Sequence, residues 1–192
     1  MKTEFTNIFN QYIKREGAKE LLEYLTKSDF FTTPASAKFH CAYQGGLAEH
    51  SVNVYKRLVK IVQSQYGDEW EKVFSHETVA ICGLLHDVCK VDYYCEETRN
   101  TKVNGEWTEK PYYTIKEILP YGHGEKSVYI INGFMRLSRG EAMAINWHMG
   151  GFDDRVRGGS YSMSAAFEKE PLCVMLHTAD LIATYLDENR NK

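Results

Sequence analysis

Apolar residues recur at helical spacing along most of the chain. Leu47, Val54, Leu58 and Ile61 are separated by steps of three, four and seven, which predicts a helix with one buried face. His50 lies on that same face, three residues after Leu47. Further helical segments are predicted at about 5–27 (two short helices broken near Gly17), 76–87, 125–137, 138–148 and 171–187, the fourth of them opened by a capping box of Ser138 and Glu141.

The pattern changes after Lys90. Val91–Cys95 and Pro111–Ile115 flank a polar stretch that contains Asn104-Gly105, a strong signal for a tight hairpin turn. We therefore predict a β-hairpin inserted at 91–116, and loops at 28–46 and 152–165. The predicted fold class is all-α, a helical bundle with a small inserted β-hairpin. One domain is expected over residues 1–192, with an N-terminal helical extension at 1–37 and a core at 38–187.

Composition narrows the class of protein. The formal net charge of -3 gives no electrostatic reason to expect a nucleic-acid duplex or an anionic membrane as partner. Five cysteines form no CxxC pair, and an odd, scattered set is typical of a reducing compartment. The first residues lack the apolar core of a signal peptide, and no apolar run approaches the ~18 residues that span a bilayer. A cytoplasmic globular domain with no membrane partner is expected.

His86 and Asp87 stand side by side at the end of an apolar run, Cys82–Leu85. Burying either group without a partner costs several kcal/mol, and a divalent metal ion that binds both removes this cost. The pair predicts the centre of a metal site, with two ions if Asp87 bridges them. Four further candidate ligands surround the pair in the sequence: His50, His123, His148 and Asp180.

Each candidate also has a structural interpretation. A histidine on an apolar helix face is commonly a hydrogen-bonded core residue, and one at a helix end can interact with the helix dipole. His40, His76 and His177 are taken as non-ligands, His177 being a candidate hydrogen-bond partner for Asp180 one turn later.

The order H…HD…H…H…D resembles the HD-domain superfamily of metal-dependent phosphohydrolases over about residues 38–187. The segment Tyr43-Gln-Gly-Gly-Leu-Ala-Glu-His50 is especially similar to the HD domains of bacterial 3′-to-5′ exoribonucleases, which carry a Tyr-x-Gly-Gly-Leu-x-x-His entry. The resemblance implies an HD-domain helical bundle with two divalent ions, one held by His50, His86, Asp87 and Asp180, the other completed by His123 and His148, with Asp87 as the bridge. The common HDxGK form has glycine where this chain has Cys89, whose side chain is expected to point away from the His-Asp pair, while Lys90 is retained.

The implied activity is divalent-metal-dependent hydrolysis of a phosphoester by metal-activated water, as a phosphohydrolase or phosphodiesterase. The expected substrate is a small phosphorylated molecule, either a nucleotide or a single-stranded nucleic-acid end. Iron, manganese, nickel, cobalt and zinc all suit mixed histidine and carboxylate ligands. Asp87 and Lys90 are the predicted catalytic residues. The predicted substrate-binding residues are Lys90, Lys126, Arg155 and Arg157, and the candidates for base stacking are Tyr43, Tyr121 and Trp147, for which core packing is the alternative.

Two other functions fit the same ligands. One is a di-iron oxygenase resembling inositol oxygenase, in which the metals activate dioxygen. The other is a non-catalytic partner module with structural metals. The retained Lys90 and the entry motif favour hydrolysis, and the complete ligand set argues against a purely structural role, which needs only one saturated ion.

Overall fold

The computed structural model describes residues 1–188, in which a long central helix is surrounded by shorter ones. The helices are α1 (Lys2–Tyr12), α2 (Ala18–Lys27), α3 (Gly46–Tyr66), α4 (His76–Leu85), α5 (His123–Asn132), α6 (Arg139–Trp147), α7 (Asp154–Arg157), α8 (Ser162–Lys169) and α9 (Pro171–Ile182). Short 3-10 helices cover Gly67–Lys72, Val88–Lys90 and Gly150–Phe152, and a π-helical turn covers Ala183–Asp187. No helix in this part of the chain is both long and apolar enough to cross a membrane.

Two strands follow α4, β1 (Tyr94–Val103) and β2 (Glu106–Ile115), and they pair antiparallel along their whole length. The turn is formed by Asn104 and Gly105, with φ of 52° and 92°, as a tight hairpin turn requires. The hairpin was predicted at this place, but the all-α class is wrong. Ten paired residues in each strand form a two-stranded antiparallel sheet, so the fold is mainly helical with a sheet.

Several helix boundaries differ from the predicted ones. α5 starts at His123 rather than near 125, because the Glu125 carboxylate accepts a hydrogen bond from the Gly122 N–H and closes the first turn there. The segment 152–165, predicted as a loop, contains α7 and the start of α8. Asp153 accepts a hydrogen bond from the Arg155 N–H, which caps α7.

Helix α3 packs against α4 and α9, and α6 packs against α5 and α9. The contact between α3 and α4 is close because Gly83 has no side chain. A Cβ at Gly83 would lie 2.5 Å from Tyr55 Cα, a distance at which backbone has to move. Since His50 is on α3 and His86 follows α4, this approach sets the separation of two candidate ligands.

Gly83→Ala is expected to push α3 and α4 apart and to destabilise the protein by about 1–3 kcal/mol, the usual cost of overpacking. Metal affinity should fall with it, since the His50 and His86 rings separate. Urea unfolding and metal titration measure the two effects. Gly151→Ala is the matched control, because a Cβ there meets nothing within 4 Å. Equal stability and metal affinity in the two variants would contradict this account.

Candidate metal centre

Three histidines present the same ring nitrogen to a common interior space. His86 and His148 each follow the last residue of a helix, and their Nδ1–H groups donate to the carbonyls of Gly83 (3.0 Å) and Ile145 (2.6 Å). His50, one turn into α3, donates from Nδ1 to the Glu188 carboxylate at 3.1 Å. A carbonyl or carboxylate can only accept, so these contacts fix the tautomers and leave Nε2 facing inward. Outer hydrogen bonds of this kind orient metal-binding histidines.

The Asp87 carboxylate lies at the centre, 2 % exposed, and its two oxygens face different histidines. Oδ1 is 2.8 Å from His123 Nε2 and 3.4 Å from His148 Nε2. Oδ2 is 3.5 Å from the Nε2 atoms of both His50 and His86. Each oxygen therefore has its own pair of imidazoles, as expected of a carboxylate that bridges two cation positions.

Asp180 joins the cluster from α9, with Oδ1 3.2 Å from His50 Nε2. The π-helical turn Ala183–Asp187 follows directly and ends next to Glu188, which reaches the other side of the same ring. π-turns are rare and recur at functional sites. His50 is thus held between two carboxylates from the C-terminal end of the described chain.

The contacts in the cluster shift the pKa values of its central groups. Burial opposes charge on the ring, but hydrogen bonds to Asp180 and Glu188 outweigh it and raise the pKa of His50 to about 10. Burial alone would raise the pKa of Asp87, but Lys90 and the surrounding histidines lower it well below its usual range. Burial lowers the pKa of His86 despite the nearby Asp87. In the metal-free protein, the positive charges of His50 and Lys90 therefore offset the negative charges of the Asp180 and Asp87 carboxylates beside them.

The donor set fits metal ions. All six predicted ligands fall into overlapping groups whose ligand atoms lie within 4.8 Å of one another: His50, His86 and Asp87; His86, His148 and Asp180; and Asp87, His123 and His148. His148 Nε2 is buried and has no hydrogen-bond partner among the described residues. The Nε2 atoms of His50 and His86 are 3.2 Å apart, where two lone pairs would repel without a cation or proton between them. These buried groups could hold a metal ion.

Lys90 belongs to this centre. Its Nζ lies 2.6 Å from Asp87 Oδ2, and its side chain is 10 % exposed. Burial alone would lower the pKa of Lys90, but the Asp87 carboxylate raises it above its ordinary value. Lys90 is therefore a buried partner of Asp87 rather than a solvated surface lysine.

The other predicted phosphate-binding residues are more distant or already paired. Lys126 is buried and pairs with Glu117 at 2.8 Å. Arg155 bonds Asp153 and Glu125 and stacks on Trp147 with its guanidinium 4.0 Å from the ring centre, so it is a structural clamp in this conformation. Arg157 is more than half exposed and lies over Phe152.

A cleft of about 440 Å³ opens beside the cluster. His123 and Cys89 form its inner end, and His123 is the most exposed of the six candidate ligands, with 27 % of its side chain accessible. Tyr93, Tyr121 and Phe152 line the walls together with Lys126. Of the three residues predicted to stack on a base, only Tyr121 lines this cleft. The cleft therefore borders the cluster at His123.

Four residues at or next to the centre were missed or misplaced by sequence reasoning. Glu188 holds His50, and the His40 ring lies 4.7 Å from the His50 ring, its Nε2 buried without a partner in residues 1–188. The expectation that Cys89 points away is wrong: its Sγ is 3.4 Å from His123 Nε2. Helical spacing gives no signal for this contact, because α4 ends at Leu85 and Cys89 lies in the 3-10 turn Val88–Lys90. His177, expected near Asp180, instead bonds the His148 carbonyl at 2.6 Å.

Comparison with protein-family models, with curated proteins and with solved structures found no match for this chain. The resemblance to the HD-domain superfamily therefore stays a prediction drawn from the motif.

Proposed function

We propose that this protein is a divalent-metal-dependent phosphohydrolase or phosphodiesterase of the HD-domain superfamily, acting on a nucleotide or a single-stranded nucleic-acid end. The observation that carries the proposal is the Asp87 carboxylate, whose oxygens face two separate pairs of histidines. Two ions would be held there, one by His50, His86, Asp87 and Asp180, the other by Asp87, His123 and His148. When bound, such a pair of ions lowers the pKa of water toward neutrality and neutralises charge on a phosphoryl group.

The chain itself supplies orientation and a positive charge. Hydrogen bonds orient three of the candidate ligand rings: His86 to the Gly83 carbonyl, His148 to the Ile145 carbonyl, and His50 to the Glu188 carboxylate. These rings therefore need little reorganisation when metal ions bind. Lys90 keeps its proton at 2.6 Å from Asp87 Oδ2, within the same buried space. From there its ammonium can donate to a phosphoryl oxygen as negative charge grows in the transition state.

The lining of the cleft favours a small substrate with a flat apolar part. Its walls contain three aromatic rings, and its lysine and arginine are balanced by the carboxylates of Glu117, Asp153 and Asp154. A lining of this kind gives little attraction to a polyanionic duplex. It suits a nucleobase in the cleft and a single phosphate at the inner end, beside His123.

The test is a hydrolysis panel on the purified chain. Metal-free protein is loaded separately with each of the five candidate ions and given mononucleotides, cyclic dinucleotides, dinucleotide polyphosphates and short single strands. We expect release of phosphate or nucleotide that a chelator abolishes and re-addition of the ion restores. Absence of hydrolysis with every ion, together with dioxygen consumption by the iron-loaded protein, would overturn the proposal in favour of an oxygenase.

A further inference from the structure

The hairpin of β1 and β2 makes few contacts with the helices of residues 1–188. Residues 96–100 and 106–111 are exposed, and the two strands pack mainly against each other. A two-stranded hairpin alone is only marginally stable in water, and further strands with a shared apolar face stabilise it. Trp107 and Ile115 lie on one face of this hairpin and are 71 % and 55 % exposed. The hairpin therefore has an apolar face and two strand edges to which another strand can be added.

The turn determines which backbone groups of each strand face outward. In a two-residue hairpin turn the flanking residues, here Val103 and Glu106, form a hydrogen-bonded pair, and the two kinds of pair then alternate along the strands. Pro111 lies opposite Thr98, in a non-hydrogen-bonded pair, so the hairpin loses no hydrogen bond at this proline. The backbone of Pro111 faces outward instead. A proline there prevents another strand from pairing with the edge of β2.

The outer edge of β1 contains no proline. Its outward-facing N–H and C=O groups belong to the β1 residues of the non-hydrogen-bonded pairs, which are Tyr94, Glu96, Thr98, Asn100 and Lys102. These residues form a continuous strand, and a strand edge with unpaired N–H and C=O groups is a template for a further strand. The free edge of the hairpin is therefore on β1, whereas the edge of β2 is interrupted.

We propose that the β1 edge pairs antiparallel with the β1 edge of a second copy of this chain, forming a four-stranded sheet centred on Thr98 of each copy. In this register Glu97 of one copy lies opposite Arg99 of the other, and twofold symmetry makes this pair occur twice. Moving the centre by one residue either way places Glu97 opposite itself or Arg99 opposite itself, which like charges disfavour. Charge complementarity therefore selects the Thr98 centre. This pairing goes beyond the proposed hydrolysis and does not depend on it.

Sedimentation equilibrium of the full chain, from micromolar to millimolar concentration, tests the pairing. A strand-edge interface is small, so we expect monomers at low concentration and dimers at high concentration. Thr98→Pro removes the central outward N–H and should abolish the dimer, while the hairpin persists because Pro111 already occupies the other half of this pair. Glu109→Pro makes the same change on the outer edge of β2 and should leave the dimer intact. A parent that stays monomeric, or equal effects of the two prolines, would overturn the proposal.

Exchange of charge tests the register. Glu97→Arg and Arg99→Glu each place like charges opposite one another, so each variant alone should fail to dimerise. An equimolar mixture restores opposite charges in both pairs, and we expect a mixed dimer that neither variant forms alone. Both side chains also contact Tyr112 within their own hairpin, but mixing leaves those contacts as they are in each variant. A mixture that stays monomeric would therefore refute the charge pairing.

Oxidative cross-linking measures the register independently of affinity. In the proposed register Cys95 lies opposite Thr101 of the second copy, in a non-hydrogen-bonded pair whose Cα atoms are about 4.5 Å apart, which a disulfide can span. Within one chain these positions are too far apart along an extended strand to be joined. Thr101→Cys should therefore give a covalent dimer on mild oxidation. Thr108→Cys, which lies opposite Thr101 on β2, should not. No covalent dimer in Thr101→Cys, or equal yields in the two variants, would exclude this register.

Discussion

Asp87→Asn is expected to bind almost no metal and to lose hydrolysis by roughly 10³-fold or more, since metal ions contribute several kcal/mol of transition-state stabilisation. The reason is that both carboxylate oxygens are in use, Oδ1 toward His123 and His148, and Oδ2 toward His50 and His86. An amide has nearly the same shape but no negative charge, and its nitrogen repels a cation. Elemental analysis and the hydrolysis assay measure both effects.

The same substitution should destabilise the metal-free protein. It leaves the Lys90 ammonium buried without its carboxylate, which typically costs about 3–5 kcal/mol. The double variant Asp87→Asn, Lys90→Met removes both charges and should recover most of this stability without recovering metal. Asp153→Asn is the control, a buried carboxylate that is paired with Arg155 and lies outside the candidate ligand groups. Normal metal content in Asp87→Asn, or metal loss in the control, would contradict the assignment.

Sequence patterns located the elements that carry the ligands because helical spacing and turn chemistry are local. His50 is on the buried face of α3, the hairpin turns at Asn104-Gly105, and Ser138 with Glu141 caps α6 as predicted. The hairpin was predicted at 91–116 and is found at Tyr94–Ile115; the all-α class was wrong because these two long paired strands add a sheet to the helices.

The details of the centre depend on contacts that local patterns do not encode. Glu188 reaches His50 only because a π-helical turn follows α9, and nothing in its neighbouring residues announces that turn. Cys89 was assigned the wrong direction because the chain changes from α to 3-10 geometry after His86 and is then fixed by Ser127, 38 residues away. Arg155 was predicted to bind substrate from a loop, but Asp153, Glu125 and Trp147 hold it in place. The errors on Glu188 and Cys89 concern partners distant in sequence, whereas Arg155 is held both by its near neighbour Asp153 and by Glu125, 30 residues away.

Lys90→Met is expected to lower kcat by roughly 10²-fold or more while leaving metal content intact, since it removes a donor that acts on transition-state charge. Metal affinity should stay the same or increase. In the metal-free protein the Lys90 ammonium occupies Asp87 Oδ2 at 2.6 Å and so competes with a cation for that oxygen. A fall in turnover with equal or tighter metal binding is a combination that simple damage to the fold does not produce.

Two further lysine variants test whether the charge and the position of Lys90 are what catalysis requires. Lys90→Arg keeps the positive charge and should restore part of the lost turnover. Lys126→Met removes the other buried lysine near the cleft, which pairs with Glu117 rather than Asp87, and should raise KM with little change in kcat. Steady-state kinetics with parallel metal titrations distinguish the two positions. Parallel loss of metal and turnover in Lys90→Met would make Lys90 a structural partner of Asp87, and unchanged kcat would remove it from catalysis altogether.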